Sequence, residues 1–228
     1  MSGIRALRDR FVDAPDSLGE RFRAARWERF RSCFPRIEDM RVVDLGGTAE
    51  NWLRSPLRPQ HVHLVNLEAH PAELPDWITA EIADVTDPEI PAKLGTFDLV
   101  VSNSTIEHVG GPSQRRRFVA AIEQLAPLHW VQTPYRYFPV EPHFLAPGFQ
   151  FLPLAAQAKL VRHWPLTHSR PATPEEGMDA VINIELLTRA EMRHLFPRSV
   201  ILSERVAGLT KSLTAVRTKA PVRDTARA

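Results

Sequence analysis

The chain has 228 residues, 43% of them hydrophobic, and a formal net charge of only +2, which suits one domain with a sizeable core and argues against nucleic acid as a partner. The single cysteine, Cys33, excludes an intrachain disulfide framework and a thiolate metal cluster. No apolar run approaches the ~20 residues that cross a membrane, so we expect a cytoplasmic protein without membrane partners, either alone or as a homodimer.

The first predicted element is an amphipathic helix over residues 17–34. Its apolar residues are spaced for one face, and they are Leu18, Phe22, Trp27, Phe30 and Phe34. We interpret residues 1–36 as a helical cap over a sheet, with a lid over a ligand as the functional alternative.

A short strand and a glycine turn follow this cap. Residues 41–45 read Arg-Val-Val-Asp-Leu, a composition typical of a central strand buried on both faces. Gly46 and Gly47 then allow a tight turn, and in a doubly wound sheet such a turn after a strand faces a ligand. A bulky residue at Gly46 should therefore block binding and leave the fold largely intact.

Two common phosphate-binding patterns are absent from this turn. Thr48-Ala49-Glu50 follows the two glycines, so the third glycine of the dinucleotide fingerprint is missing. A Gly-Lys-Ser/Thr ending, which a P-loop requires, is missing too. Both absences argue against a nucleotide bound through its phosphates, and a short helix is predicted over residues 49–53.

Three further strands are predicted over residues 61–68, 77–82 and 96–103. Each is followed or ended by polar side chains that can hydrogen-bond a ligand, namely Asn66, Glu68, Asp84, Asn103 and His108. In doubly wound folds a hydrogen-bonding side chain at the end of the second strand is placed to hold ribose hydroxyls, which here applies to Asn66 or Glu68.

The second half of the chain alternates helices and strands in the same way. A helix is predicted over residues 112–125, and its Arg115-Arg116-Arg117 run is interpreted as a solvated face. The remaining elements are a fifth strand at 128–133, a helix at 189–196, and a hairpin of strands at 199–206 and 209–217 that turns at Ala207-Gly208. The pattern predicts a single α/β domain over residues 1–218 and a flexible tail over 219–228.

A stiff loop interrupts this alternation between residues 134 and 147. It is rich in proline and aromatic side chains, which suits a binding site at the mouth of a sheet, and a helix over residues 149–161 is expected to pack it down. Glu141 and His143 lie two residues apart, so in an extended segment both project to one side. They could share a pocket, or His143 could hydrogen-bond loop backbone while Glu141 pairs with Arg136.

These segments, taken in order, resemble the motifs of class I S-adenosylmethionine-dependent methyltransferases. Asp44-Leu45-Gly46-Gly47 resembles motif I, Asp-x-Gly-x-Gly, with Thr48 where the second glycine of the motif usually stands. The run from Phe97 to His108, Phe-Asp-Leu-Val-Val-Ser-Asn followed by Glu-His, resembles motif IV. The resemblance implies a Rossmann-like fold with a seven-stranded, mostly parallel sheet and an antiparallel C-terminal hairpin.

The resemblance also implies a set of residues around S-adenosyl-L-methionine. These are Asp44, Gly46, Gly47, Asn66, Leu67, Glu68, Asp84, Val85, Asn103 and His108. Asp84 would accept a hydrogen bond from the adenine amine. Either Asn66 or Glu68 would hold the ribose, since the family usually has an acid at the Asn66 position.

The loop resembles the Pro-Tyr-x-x-Phe-Pro-x-Glu-x-His loop of some small bacterial methyltransferases, and more narrowly those that O-methylate sugars in actinobacterial polysaccharide assembly. The resemblance implies that residues 134–187 form an acceptor-side insertion. Its substrate-binding residues would be Tyr135, Arg136, Tyr137 and Phe144.

Catalysis is assigned to His143 and Glu141. His143 would act as general base on an acceptor hydroxyl. Glu141 would orient the imidazole, bind a substrate hydroxyl or ligate a divalent metal, whose presence is left open, and His108 is the second candidate base.

The predicted function is methyl transfer to a hydroxyl of a small polar metabolite, with a sugar or oligosaccharide as the favoured acceptor. Two alternatives stay open. One is a non-catalytic partner protein that binds the cofactor, and the other is a nicotinamide-dependent oxidoreductase on a related fold.

Overall fold

A seven-stranded sheet organises the computed structural model, which describes residues 18–71, 73–167 and 170–219. The strands are β1 Arg41–Leu45, β2 His61–Asn66, β3 Ile78–Ile82, β4 Leu99–Asn103, β5 Leu128–Pro134, β6 Val140–Glu141, β7 Ala146–Pro147, β8 Val200–Val206 and β9 Leu209–Arg217. The sheet order is β3-β2-β1-β4-β5-β9-β8, while β6 and β7 form a separate two-stranded ribbon.

The first five strands of this sheet run parallel, and β9 pairs antiparallel with both β5 and β8. The predicted sheet with its C-terminal hairpin is therefore confirmed. The chain order switches between β1 and β4, which are neighbours. The turn after β1 lies at this switch point, where open α/β sheets bind ligands.

Helices cover both faces of the sheet. They are α1 Leu18–Cys33, α2 Ala49–Leu53, α3 Ile90–Leu94, α4 Pro112–Leu125, α5 Leu154–Val161, α6 Pro174–Ile182 and α7 Arg189–Leu195, with single 3₁₀ turns at Ile37–Asp39 and Phe149–Phe151. Among the helices described, none has the length and apolar character needed to cross a membrane.

Two apolar layers lie on opposite faces of the sheet. Phe30 of α1 and Phe34, which directly follows the helix, pack in one layer with Trp130. Phe118 and Ile122 of α4 pack in the other layer. Residues 1–17 of the predicted cap and 220–228 of the predicted tail lie outside the described residues.

A third, smaller core forms beneath the proline-rich loop. Phe144 and Phe149 of the loop contact each other, with ring centroids 4.6 Å apart, and pack with Val161 of α5 and Val181 of α6. This core belongs to the segment that the sequence analysis interprets as an insertion. It packs the loop against helices α5 and α6.

Two predicted elements have different bounds in the structure, and one helix was not predicted. The continuous helix expected over 149–161 is divided into Phe149–Phe151 and α5, because Pro153 lacks an N–H donor and forces Leu152 into an extended conformation. Strand β2 ends at Asn66 instead of residue 68, because the Asn66 side chain accepts the amides of Leu67 and Glu68 and turns the chain. Helix α6 was not predicted.

The arginine run in α4 also differs from its prediction. Arg116 and Arg117 are exposed as expected, but Arg115 is buried and forms an ion pair with Glu185. Its guanidinium also donates to the Glu185 carbonyl oxygen at 3.0 Å. Arg115 therefore ties α4 to the segment that follows α6.

Candidate active site

Asp44 lies underneath the turn that follows β1. Its side chain is 3% exposed and accepts a 2.7 Å hydrogen bond from the Trp52 indole. A Cβ on Gly47 would stand 1.9 Å from the Asp44 carboxylate, so only glycine lets the turn close over this acid. Burial raises the pKa of Asp44 to about 7, although the hydrogen bond from Trp52 acts in the opposite direction. Asp44 is thus turned toward the protein and shapes the turn from below.

Gly46 needs its lack of a side chain for two reasons. Its φ of +81° lies in the left-handed region, and an added Cβ would come within 2.3 Å of the Thr105 hydroxyl. Its N–H also donates to the Val65 carbonyl at 2.7 Å. The expectation that a bulky residue at Gly46 leaves the fold largely intact is therefore wrong, because the substituent would meet protein atoms.

The end of β2 offers two polar side chains of different availability. The Asn66 amide donates to the Gly47 carbonyl at 3.3 Å, and its oxygen accepts the Leu67 amide at 2.8 Å. Glu68 is exposed, and its carboxylate has no hydrogen-bond partner among residues 18–71, 73–167 and 170–219. Asn66 therefore supports the turn, and Glu68 is available to a ligand.

The end of β3 continues the same edge. Asp84 is exposed, and one of its oxygens accepts from the Thr86 amide at 2.8 Å and the Thr86 hydroxyl at 2.7 Å. Leu67 and Ile82 are 70% and 62% exposed at these strand ends. Carboxylates beside exposed apolar side chains suit a ligand with hydroxyl and amine donors on a flat ring, so the residues present fit an adenosyl group.

Asn103 and His108 mark the end of β4 and the loop after it. The half-buried Asn103 side chain accepts from the Trp130 indole at 3.3 Å, and Ser104 after it adopts a left-handed φ of 54°. The exposed His108 points away from this turn, toward the proline-rich loop. The loop after β4 therefore begins near the turn that follows β1 and extends to the proline-rich loop.

Four side chains meet where this loop faces the proline-rich loop; we call Glu107, His108, Glu141 and His143 the Glu–His cluster. His143 Nδ1 lies 2.6 Å from Glu141 Oε1, and its Nε2 lies 3.1 Å from His108 Nε2 and 4.0 Å from Glu107 Oε1. His108 Nδ1 lies 3.2 Å from the Asn183 carbonyl oxygen. Glu141 and His143 thus share a site, as one of the two interpretations of the sequence predicts, and Glu141 pairs with His143 instead of Arg136.

One oxygen of each carboxylate in the cluster accepts a hydrogen bond from the protein. Glu107 is fully buried, and its Oε2 accepts a 2.9 Å hydrogen bond from the Thr133 hydroxyl, while Oε1 has no hydrogen-bond partner in the described part of the chain. Glu141 is 2% exposed, and its Oε2 accepts the Phe144 amide at 2.8 Å. Both acids therefore present a single oxygen to the histidines.

Burial and charge act against each other in this cluster. Burial raises the pKa of Glu107 to about 7, against the lowering effects of hydrogen bonding and of His143. Burial also acts to lower the pKa of His143, but the hydrogen bond and charge of Glu141, with the charge of Glu107, outweigh it and raise that pKa. The pKa of His108 is lowered by burial and by the neighbouring His143. A positive charge in the cluster is therefore favoured at His143.

The hydrogen bonds of the two imidazoles require one more proton than two neutral rings carry. The Asn183 carbonyl and the Glu141 carboxylate only accept, so each Nδ1 must bear a proton. A hydrogen bond between the two Nε2 atoms needs a third. In this arrangement every ring nitrogen of the two histidines has a neighbour.

A cavity of about 390 Å³ adjoins the cluster at Glu141. Its walls combine charged and apolar side chains; they are Arg115, Arg136, Glu141, Phe144, Phe149, Gln150, Leu154, Gln157, Val181, Ile182, Ile184, Glu185, Leu186 and Glu191. Two of the predicted substrate residues, Arg136 and Phe144, line it. Tyr135 and Tyr137 are not among the lining residues and contact each other edge to face, with ring centroids 5.6 Å apart.

Sequence reasoning assigned no role to Glu107 or Arg115. Glu107 was visible as an acid directly before His108 after a strand, but nothing local indicated that it would be buried. Arg115 stands three residues before Phe118 and seven before Ile122, the spacing of the inward face of α4. That spacing was the available indication that Arg115 is buried.

Comparison with known proteins assigns the chain to a family. A family described as "Methyltransferase domain" matches residues 19–196, whereas no curated protein sequence matches significantly. Among solved structures, a SAM-dependent methyltransferase from Anabaena variabilis is 14% identical, with 95% of this chain and 94% of that chain covered and a TM-score of 0.54.

Two further structures share the fold. An O-methyltransferase family protein from Burkholderia thailandensis is 14% identical with a TM-score of 0.50, and the match covers 96% of this chain but only 60% of that one. A provisionally named Zn-dependent alcohol dehydrogenase from Rhodobacter sphaeroides is 12% identical, with 83% and 87% covered and a TM-score of 0.54. At these identities the likeness concerns the fold alone. Since the family match spans most of the chain, the protein belongs to the methyltransferase domain family, the class I S-adenosylmethionine-dependent methyltransferases.

Proposed function

We propose that this protein transfers a methyl group from S-adenosyl-L-methionine to a hydroxyl of a small polar acceptor, with a sugar or oligosaccharide as the favoured class. The observation that carries the proposal is the hydrogen-bonded Glu141–His143 pair, 2.6 Å between oxygen and nitrogen, beside a cavity on the acceptor side of the sheet. A histidine oriented by a buried carboxylate is suited to act on a hydroxyl proton.

On the cofactor side, Glu68 is the residue we propose for the ribose hydroxyls, because Asn66 is occupied with the backbone of the turn. Asp84 would accept from the adenine amine with the oxygen that Thr86 does not use, and Leu67 would lie against the adenosyl group. The bound cofactor supplies a reactive methyl sulfonium, so the task of the protein is to position the acceptor oxygen in line with the methyl group.

On the acceptor side, His143 and Glu141 are the proposed catalytic residues. Nδ1 of His143 is fixed by Glu141, which leaves Nε2 as the atom that acts on the acceptor. Nε2 now faces His108 at 3.1 Å. Nε2 of His143 reaches a hydroxyl proton directly when its contact with His108 opens. Alternatively, it acts on the hydroxyl through an atom bound between the two rings.

The cavity supports the choice of a polar, ring-shaped acceptor. Phe144, Phe149 and Leu154 offer apolar faces, while Arg136 and Glu191 offer polar edges. A sugar is apolar on its ring faces and polar at its rim, so this mixture of side chains suits it.

The test is incubation with isotopically labelled S-adenosylmethionine and a panel of sugars, oligosaccharides, phenols and amines, followed by mass spectrometry. We expect label in an ether methyl of a hydroxylated acceptor. His143→Ala should lower the rate by about 100- to 10,000-fold. His194→Ala, which removes an exposed histidine on α7, should leave it unchanged. Transfer only to amines would overturn O-methylation, and absence of any transfer with intact cofactor binding would favour the non-catalytic alternative.

A further inference from the structure

Three residues of the Glu–His cluster bring possible metal-ligand atoms together. Glu107, His108 and His143 each offer one such atom, and the three atoms lie within 4.8 Å of one another. Two ligand atoms that share one zinc ion at about 2.1 Å each stand roughly 3–4 Å apart. The 3.1 Å and 4.0 Å separations from His143 Nε2 to the other two atoms match this spacing.

The carboxylate in this group has an oxygen that nothing satisfies. Glu107 is fully buried, and Thr133 fixes one of its oxygens while the Glu185 amide donates to its backbone carbonyl. The remaining oxygen, Oε1, has no hydrogen-bond partner in the described part of the chain and is the one that faces His143. A buried carboxylate oxygen without a partner is costly unless a cation or donor meets it.

The outer nitrogens of both histidines have the partners that metal-bound histidines usually have. Nδ1 of His143 contacts the Glu141 carboxylate, and Nδ1 of His108 contacts the Asn183 carbonyl oxygen. Histidines that ligate a metal almost always donate their second N–H to a carboxylate or a backbone carbonyl, which fixes the ring and the tautomer. The two rings are then fixed with their Nε2 atoms 3.1 Å apart.

The two buried acids of the cluster also favour a bound cation. Glu107 and Glu141 are two acids almost without solvent contact, and the nearest basic groups of the cluster are the two imidazoles. A divalent cation between the Nε2 atoms would balance both acids.

We propose that Glu107, His108 and His143 bind one divalent transition-metal ion. Two imidazoles and one carboxylate favour zinc or a neighbouring transition metal over magnesium or calcium, which prefer oxygen ligands throughout. Three protein ligands leave at least one coordination position open. That position takes the acceptor hydroxyl oxygen, an assignment that rests on the proposed function, whereas the binding of the ion does not.

This site changes the role of His143. When the ion is bound, Nε2 of His143 is a ligand and does not take the hydroxyl proton. The residue then positions the acceptor oxygen through the ion, which would acidify the hydroxyl so that its proton leaves to solvent as the methyl group is transferred. Glu141 becomes a positioning residue that orients the His143 ring. Loss of such outer partners typically weakens metal binding by about 10- to 100-fold.

The experiment uses the untagged, chelator-treated full chain and titrates it with Zn²⁺, Mn²⁺, Co²⁺ and Mg²⁺ by calorimetry, with the optical spectrum of bound Co²⁺ as a second measurement. We expect one transition-metal ion per chain. Glu107→Gln, His108→Gln and His143→Gln should each weaken binding at least 100-fold, Glu141→Gln about 10- to 100-fold, and His194→Gln should bind as the parent does. Circular dichroism confirms that each variant is folded.

The outcomes separate the ion from the methyl transfer. The inference is overturned if the parent binds no transition metal stoichiometrically, if the His108 and His143 variants bind as tightly as His194→Gln does, or if Mg²⁺ alone binds. Tight binding without methylation of any hydroxylated acceptor would refute the proposed function and keep the site. Methylation at full rate by metal-free protein would refute the role of the ion and keep the proposed function.

Discussion

His129 is a buried histidine whose charge state should control acid stability. It lies in β5, 2% exposed, with Nε2 2.8 Å from the Ser199 hydroxyl. Burial, followed by the positive charge of Arg217, lowers the pKa of His129 to about 4, although Glu123 acts in the opposite direction. The folded protein therefore keeps this imidazole neutral through the mildly acidic range.

The pH dependence follows from the two pKa values. The unfolded chain protonates His129 near pH 6.5, and the folded chain only near pH 4. Between these values the unfolded state binds more protons, so the free energy of unfolding falls as the pH falls from 6.5 toward 4, by up to about 3 kcal/mol. The free energy of unfolding in urea should be measured at pH 7.5 and at pH 4.5. Between these two values His129→Gln should lose up to about 3 kcal/mol less stability than the parent, whereas His194→Gln should lose as much as the parent. An unchanged loss in His129→Gln would contradict the assignment.

Gly46 allows a second test at the level of one residue. Gly46→Ala adds a Cβ at positive φ and against the Thr105 side chain, whereas Gly208→Ala, at a φ of +80°, meets no atom within 4 Å. The left-handed conformation alone costs about 1–2 kcal/mol, and overpacking adds about 1–3 kcal/mol. Denaturant unfolding should therefore rank Gly46→Ala as less stable than Gly208→Ala, and calorimetry with S-adenosylhomocysteine should show weaker binding only for Gly46→Ala. Equal stabilities would contradict the crowding by Thr105.

Among the elements, those with strong local patterns were predictable. Helices α2 and α4, strand β1 and the hairpin of β8 and β9 lie where periodicity and turn residues indicated them. Helix α6 was missed although Thr173 caps it by accepting from the Glu176 amide, a Thr-x-x-Glu pattern that the sequence contains.

The arginine run in α4 provides a prediction with two matched controls. Arg115→Ala removes the ion pair with Glu185 and leaves the Glu185 carbonyl without this donor, which should cost about 1–3 kcal/mol of unfolding free energy. Arg116→Ala and Arg117→Ala alter exposed side chains and should stay within about 0.5 kcal/mol of the parent. Equal effects of all three substitutions in urea unfolding would show that Arg115 is exposed to solvent, as the sequence suggested.

At the scale of the whole molecule, the sheet gathers the site from distant parts of the chain. The pairing of Glu141 with His143 was predictable because the two residues are neighbours in one extended segment. The approach of His108 to His143 was not, because it depends on how the loops after β4 and β5 meet at one edge, which no local pattern specifies. The buried oxygen of Glu107 was equally invisible, since burial there results from tertiary packing.

The proposed cofactor residue Glu68 and the Glu–His cluster lie on different loops at the edge of the sheet. We therefore predict that cofactor binding and acceptor chemistry can be separated by mutation. Glu68 follows β2, whereas the Glu–His cluster joins the loop after β4 to the proline-rich loop. Glu68→Gln should therefore weaken S-adenosylhomocysteine binding about 10- to 100-fold, the loss expected when a charged hydrogen-bond acceptor is made neutral. Glu141→Gln should leave that affinity unchanged, and Glu73→Gln, an exposed glutamate before β3, serves as the control.

Thermal unfolding with and without the ligand measures this separation. A ligand at 100 times its dissociation constant stabilises the folded state by about 2.7 kcal/mol, so a 100-fold weaker ligand at the same concentration gives only ~0.4 kcal/mol. We expect Glu68→Gln to lose most of the ligand-induced rise in Tm, and Glu141→Gln and Glu73→Gln to keep it. Labelled methyl transfer should fall in both site variants, for different reasons, because only Glu68→Gln should recover at high S-adenosylmethionine. If Glu141→Gln lost the rise in Tm and Glu68→Gln kept it, the cofactor would lie on the side of the sheet edge that we assign to the acceptor.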